Sequence, residues 1–205
     1  MVKLVKIGEE AGIIGTSTTI ENDGITVSQS GSDYARIAAD TPFPSTSGKY
    51  VCEVTIINET PAPSNNIGVT FGIIDSALNP TKAVVCENYE SQSSLFWYAS
   101  QSQYGFTTGG FTTKEGDVVG AGWDLKNGKI SFFVNGKLVF HTDIRYFDNL
   151  TGAAAIYPQA YFHSYHVSSV KAKINFGQQK YAYSYEGFMN LYDYKIGGNF
   201  KLKLY

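Results

Sequence analysis

Between Asp117 and His141 an alternating apolar pattern is broken twice by the pair Asn-Gly, at Asn127 with Gly128 and at Asn135 with Gly136. Both residue types tolerate the positive φ values of type I′ turns, whose twist matches that of paired antiparallel strands. The segment therefore reads as a three-stranded meander: about Val118 to Leu125, Lys129 to Val134 and Lys137 to His141. Successive side chains on a strand point to opposite faces. Val119, Ala121, Trp123 and Leu125 thus fall on one side of the first strand, and Ile130, Phe132 and Val134 on one side of the second. That side is expected to be core.

The same pattern recurs elsewhere. Val170, Ala172, Ile174 and Phe176 alternate with Lys171, Lys173 and Asn175, a half-buried strand whose lysines meet water. Further strands are expected at Ile25 to Gln29, Tyr34 to Ala38, Tyr50 to Ile57, Ile67 to Ile74, Leu95 to Ala99 and Ala153 to Phe162. No stretch sustains a helical period. Roughly ten short strands separated by Gly, Asn, Asp and Ser imply an all-β chain. Two antiparallel sheets packed face to face or a closed barrel fit such a pattern, and the expected fold is the first, an antiparallel two-sheet β-sandwich of the concanavalin or jelly-roll kind. At 205 residues, 43% hydrophobic and 17% charged, the chain is sized for one domain with a real core. The body is expected over residues 20–185, with an N-terminal arm at 1–19 and a tyrosine-rich arm or extra strand at 186–205.

Charge and targeting signals exclude several classes of function. Sixteen Lys plus Arg against eighteen Asp plus Glu give a net charge of −2, with no block of like charge, so nucleic acid is not an expected partner. No run reaches the ~18 apolar residues of a membrane span, and the first fifteen residues lack the apolar centre of a signal peptide. A cytoplasmic or virion-associated protein without membrane insertion is expected. Cys52 and Cys86 are too few for a disulfide framework and have no metal-site spacing, so both read as buried thiols.

The order of motifs resembles the SPRY domains, β-sandwiches used as protein-recognition modules. Gly48, Lys49, Tyr50, Val51, Cys52, Glu53 and Val54 look like the family's early signature strand, and Ile67, Gly68 and Val69 like the glycine-containing strand after it. Trp97 stands where the family often has tryptophan. Gly116, Asp117, Val118, Val119 and Gly120, then Asp124 and Leu125, Ile130, Ser131 and Phe132, and Asn135 and Gly136 form the most specific part. Tyr157 with Pro158, then Asn175, Phe176 and Gly177, complete the series. One departure is that Val51 and Cys52 stand where the family commonly has two aromatics before the glutamate.

The resemblance implies a partner surface built from loops at one end of the sandwich. On this chain those loops carry His163, Ser164, Tyr165 and His166, after the Tyr-Pro strand, and Asp75, Asn79, Pro80 and Lys82, after the glycine-containing strand. Composition adds Tyr104 and Phe106, set among Ser, Gln, Gly and Thr as in binding loops, and Arg145 with Tyr146 after the meander.

Catalysis has little support. His141, His163 and His166 are the only histidines, and no nucleophile elbow, zinc-protease or P-loop pattern occurs. An i to i+3 histidine pair on a strand points to opposite faces, so no metal is expected, nor any cofactor. The expected function is a non-enzymatic protein-interaction module. The alternative is a structural or decoration subunit of a virus or phage particle, homo-oligomerising through its terminal arms. A third reading is a carbohydrate-binding sandwich using exposed tyrosines.

Overall fold

The computed structural model describes residues 4–6, 18–22, 25–30, 35–60, 69–74, 83–89, 93–98, 103–108, 114–144, 147–162 and 169–192. Among the described residues, fifteen strands make two sheets. Sheet A contains β1 (Leu4–Lys6), β4 (Ala35–Ala39), β13 (Tyr157–Phe162), β6 (Val69–Ile74), β7 (Ala83–Tyr89), β8 (Ser93–Tyr98) and β9 (Gln103–Thr108), in that spatial order. Sheet B runs β12 (Lys137–Asp143), β11 (Lys129–Val134), β10 (Val118–Asp124), β5 (Lys49–Thr60), β14 (Ser169–Asn175), β3 (Thr26–Ser30) and β2 (Thr18–Ile20). The fifteenth, β15 (Met189–Asn190), pairs with β5 in parallel, opposite Tyr50 and Val51. Every other pairing is antiparallel. The expected two-sheet sandwich is what forms. Among the described residues no helix is long and apolar enough to cross a membrane.

The alternation read from sequence faces the core as expected. Val119, Ala121, Trp123, Leu125, Ile130, Phe132, Val170, Ala172, Ile174 and Phe176 join Tyr50, Cys52, Val54 and Ile56 of β5 in one cluster. Ile37, Ala39, Ile73 and Ala160 complete it from sheet A. Cys52 is a free, fully buried thiol, and burial, then the neighbouring Glu53 charge, pushes it well above the usual thiol value.

The two Asn-Gly pairs part company. Asn135 and Gly136 both take positive φ (51° and 78°), the type I′ geometry expected between β11 and β12. Asn135 also ties its turn to the strand beside it. Its side-chain oxygen accepts the Val118 N–H at 2.9 Å, and its Nδ2 donates to Asp117 at 2.9 Å. At the first turn Asp124 pairs with Lys129, which leaves a loop of four residues in which only Gly128 has positive φ (61°). This corrects the two-residue turn expected there, and the reason is Asp124. Its carboxylate accepts both the backbone N–H of Asn127 (3.1 Å) and its Nδ2 (2.9 Å), which pulls Asn127 back toward the strand.

Two other expectations change. The strand expected from Ala153 starts only at Tyr157. The Ala153 N–H closes a turn onto Leu150 after the 3-10 segment Phe147–Leu150, and the Ile156 carbonyl accepts from Phe43. Tyr104 and Phe106, set in a stretch of loop-like composition, lie on β9, the last strand in the order of sheet A. Their cross-strand bonds to β8 outweigh the flexibility of the surrounding Ser, Gln and Gly residues.

Strand β10 is buried along its whole length, on both faces. Its second face is covered by residues 181–188, which lie across sheet B away from the core. Phe133 on β11 meets Tyr185 edge-on at 4.9 Å and Phe188 at 5.8 Å, and Val51 and Tyr181 complete this smaller cluster. The strap fits because β10 carries glycine on this face. A Cβ on Gly120 would stand 2.6 Å from the Tyr185 ring, and one on Gly122 would stand 2.8 Å from the Phe188 ring. Gly122→Val should therefore displace Phe188 and cost about 1–3 kcal/mol by overpacking. Urea denaturation measures this, and unchanged stability would show that the strap is not seated on β10. Leu191 reaches the main core with 5% exposure, so residues up to 191 are packed on the body.

Candidate functional site

Antiparallel register decides which chain segments leave each end of the sandwich. Tyr157 of β13 stands opposite Ile74 of β6, and Phe162 stands opposite Val69. The chain therefore leaves β6 toward 75–82 at the Tyr157 end of sheet A, and leaves β13 toward 163–168 at the Phe162 end. Val84 pairs with Tyr98, and Tyr98 with Gln103, so the β8 to β9 connection also belongs to the Tyr157 end. The two segments expected to share one end thus depart from opposite ends of sheet A. In an antiparallel sheet, segments that follow adjacent strands must do so.

Sheet B is tied to the Tyr157 end through residues 40–48, which carry the chain from β4 to β5. The Phe43 N–H donates to the Ile156 carbonyl at 2.8 Å, and the Phe43 ring stacks on Tyr50 with centroids 4.8 Å apart. Lys49, Asp124, Lys129 and Asp143 lie in one cross-strand row at this end. Lys49 Nζ stands 2.9 Å from Asp124 Oδ2, and Lys129 Nζ stands 3.8 Å from Asp143. Leu125 N–H donates to Gly48 O at 2.9 Å, and Ile144 N–H to Gly128 O at 2.6 Å. Ile144 and Leu150 are buried, and Phe147 packs on the core.

Asp124 is the electrostatic centre of the row. Desolvation pushes its carboxyl up, but the Asn127 side chain, Lys49 and the Asn127 backbone outweigh it and hold the group below its ordinary value. The result is a fixed anion against an exposed lysine, rigidly held on strand ends.

The Phe162 end is different in character. Asp117 accepts from the Lys114 N–H at 3.0 Å and from Asn135, which closes a turn network. Beside Ser169, where the chain re-enters sheet B, an open cleft of about 360 Å³ is lined by Thr19, Ser28, Gln29, Ser30, Ser169, Val170 and Lys171. The Lys171 charge there is matched by Glu21 at 2.6 Å, which also accepts from the Ser28 hydroxyl at 2.9 Å.

Among the expected site residues, Asp75, Asn79, Pro80, Lys82, Arg145, Tyr146, His163, Ser164, Tyr165 and His166 lie outside the described residues. Tyr104 and Phe106 occupy β9 positions opposite Trp97 and Leu95. The sequence reading did not pick out Lys49 and Asp124 as site residues. The four-residue spacing of Asp124 and Gly128 around Asn127 was the available signal for a carboxylate-capped turn. Among the described residues no three His, Cys, Asp or Glu side chains gather as a metal site.

The fold is an antiparallel two-sheet sandwich around a single main core. The SPRY domain family matches residues 63–179, more than half of the chain, and the protein belongs to that family. SPRY domains generally bind protein partners. The structure is similar to the SPRY domain of human HERC1, at 20% identity and TM-score 0.50, over 80% of this chain and 96% of that one. It is also similar to the carbohydrate-binding module CBM66 of Bacillus subtilis, at 7% identity and TM-score 0.49, over 84% and 91% of the two chains. A β-1,3-1,4-glucanase from a mouse hindgut metagenome matches at 10% identity and TM-score 0.47, over 85% and 90%. No curated protein matches the sequence.

Proposed function

We propose that this SPRY domain is a non-catalytic module that binds a protein segment at the Tyr157 end of the sandwich. One observation carries this reading. Register brings Ile74 at the end of β6 and Tyr98 at the end of β8 to the same end as the Lys49–Asp124 pair and Ile144. Loops on a rigid scaffold, with Arg and aromatic residues set in a polar rim, are the usual material of a specific interface. Of the residues expected from the resemblance and from composition, Asp75, Asn79, Pro80 and Lys82 follow β6 in the chain, and Arg145 and Tyr146 follow Ile144. His163 to His166 belong to the opposite departure.

The non-catalytic reading is supported by how the buried carboxylates are used. Glu53 and Asp124 are each saturated by hydrogen bonds from their own fold. The assembly reading, through a C-terminal arm, has less material to work with, since the chain up to Leu191 is seated on its own sheet B.

The test uses a peptide selected on the full chain from a random-peptide display library. Arg145→Ala with Tyr146→Ala should weaken that peptide about tenfold or more, with an unchanged melting temperature. His163→Ala with Tyr165→Ala should leave the affinity as it was. The opposite pattern would move the site to the Phe162 end.

A further inference from the structure

The two Asn-Gly pairs are followed by the same residue, so Asn127-Gly128-Lys129 and Asn135-Gly136-Lys137 are one tripeptide placed in two different turns. Before glycine, an asparagine amide is open to attack by the next backbone nitrogen, because glycine has no Cβ to hinder the approach. In an unfolded chain the two sites would react alike. Both asparagines are exposed to water, so solvent does not tell them apart. Hydrogen bonding does. The Asn135 amide is held at both atoms, its Oδ1 by the Val118 N–H and its Nδ2 by Asp117, each at 2.9 Å. Turning its Cγ toward Gly136 would break both bonds and orphan the N–H of Val118, a residue only 8% exposed. Positive φ at both Asn135 and Gly136 also fixes that turn tightly between β11 and β12. The Asn127 amide is held through Nδ2, which donates to Asp124 at 2.9 Å. Among the described residues nothing donates to its Oδ1.

We propose that Asn127 is a self-modification site that deamidates in the folded protein, while Asn135 is protected by its turn. The Gly128 nitrogen attacks Asn127 Cγ, and the new C–N bond closes a five-membered succinimide. The Cγ–Nδ2 bond breaks, and ammonia leaves with the proton that Gly128 gives up. Water then opens the ring at one of its two carbonyls and leaves aspartate or isoaspartate at 127. The product takes the net charge from −2 to −3. Its carboxylate faces Asp124 where the Nδ2 donor had been, so two anions compete for Lys49. The charge of the Lys49, Asp124, Lys129 and Asp143 row is thereby rewritten by the chain's own chemistry. This modification is separate from the protein-binding reading and does not rest on it.

The shared tripeptide supplies the control. The full chain is incubated at mildly alkaline pH, once folded and once unfolded in concentrated urea, and chymotryptic peptides carrying 127 and 135 are followed by mass spectrometry. In the folded chain the mass gain of deamidation should appear about tenfold or more faster at 127, since one further hydrogen bond must break at 135. In urea the two sites should convert at similar rates. Ion-exchange chromatography of the folded chain should resolve a growing acidic species. Asn127→Gln should largely abolish it, because glutamine would have to close a six-membered ring. Equal rates in the folded chain, or a faster rate at 135, overturn the proposal. So does a folded chain in which 127 stays intact while the unfolded chain converts, and so does an acidic species undiminished in Asn127→Gln.

Discussion

Glu53→Ala is expected to lower the unfolding free energy by about 2–4 kcal/mol, one of the two largest effects in the molecule, although the residue is acidic and sits on a sheet face. Glu53 is 3% exposed. Its carboxylate accepts the Ala182 N–H at 3.0 Å, the Tyr183 N–H at 3.2 Å and the Tyr185 hydroxyl at 2.7 Å. Alanine would leave these donors facing an apolar space and release the strap that covers Gly120 and Gly122. Tyr181, whose hydroxyl donates to Val51 O at 2.6 Å, would then hold the strap with less support.

The same residue predicts a pH effect of definite sign. Burial raises the Glu53 carboxyl above its ordinary value, and the Tyr185, Ala182 and Tyr183 hydrogen bonds recover only part of that. A carboxyl raised on folding gives a stability contribution that is full below its unfolded pKa and is lost as pH rises through the folded value. Asp124 is lowered on folding, so its contribution is present above the unfolded pKa and is lost as pH falls through the folded value. Glu53→Gln should therefore flatten the decline in stability just above the ordinary carboxylate range, and leave the acid-side loss from Asp124 in place. Urea titrations across that range check this. A decline of the same slope in both proteins would mean that Glu53 is not desolvated by the strap.

Trp123→Ala is expected to cost about 3–5 kcal/mol, because it empties the largest fully buried side chain in the core. Trp123 stands between Tyr50 and Ile130 across the strands. Its Nε1 has no hydrogen-bond partner. Trp123→Phe should therefore be much milder, since loss of the orphaned N–H offsets part of the volume removed. Equal losses in the two variants would show that the indole nitrogen is bonded in solution, through water or otherwise.

Much of the sandwich was legible because period-two patterning is a local signal. Val119 to Leu125 and Val170 to Phe176 name their core face without any knowledge of their partners. The strap was not legible, since nothing near Gly120 or Gly122 announces that Tyr185 and Phe188, more than sixty residues later, will fill those positions. The buried state of Glu53 has the same origin, because its donors come from residues 182–185. The ends of the sandwich were half legible. Motif order locates the strands and so the loops, but which loops share an end follows from pairing register, and register is a long-range property. Strand β9 was hidden by its own composition, since Gln103 to Thr108 carries the residues of a loop and becomes a strand only by pairing with β8.

Hydrogen exchange of the full chain with and without the library-selected peptide tests the central claim most directly. Binding at the Tyr157 end predicts slowed exchange in peptides spanning 74–83 and 143–147, with the Leu125 and Ile144 amides slowed beside them and 163–168 unchanged. Protection confined to 163–168 and the Ser30–Ser169 corner would contradict it.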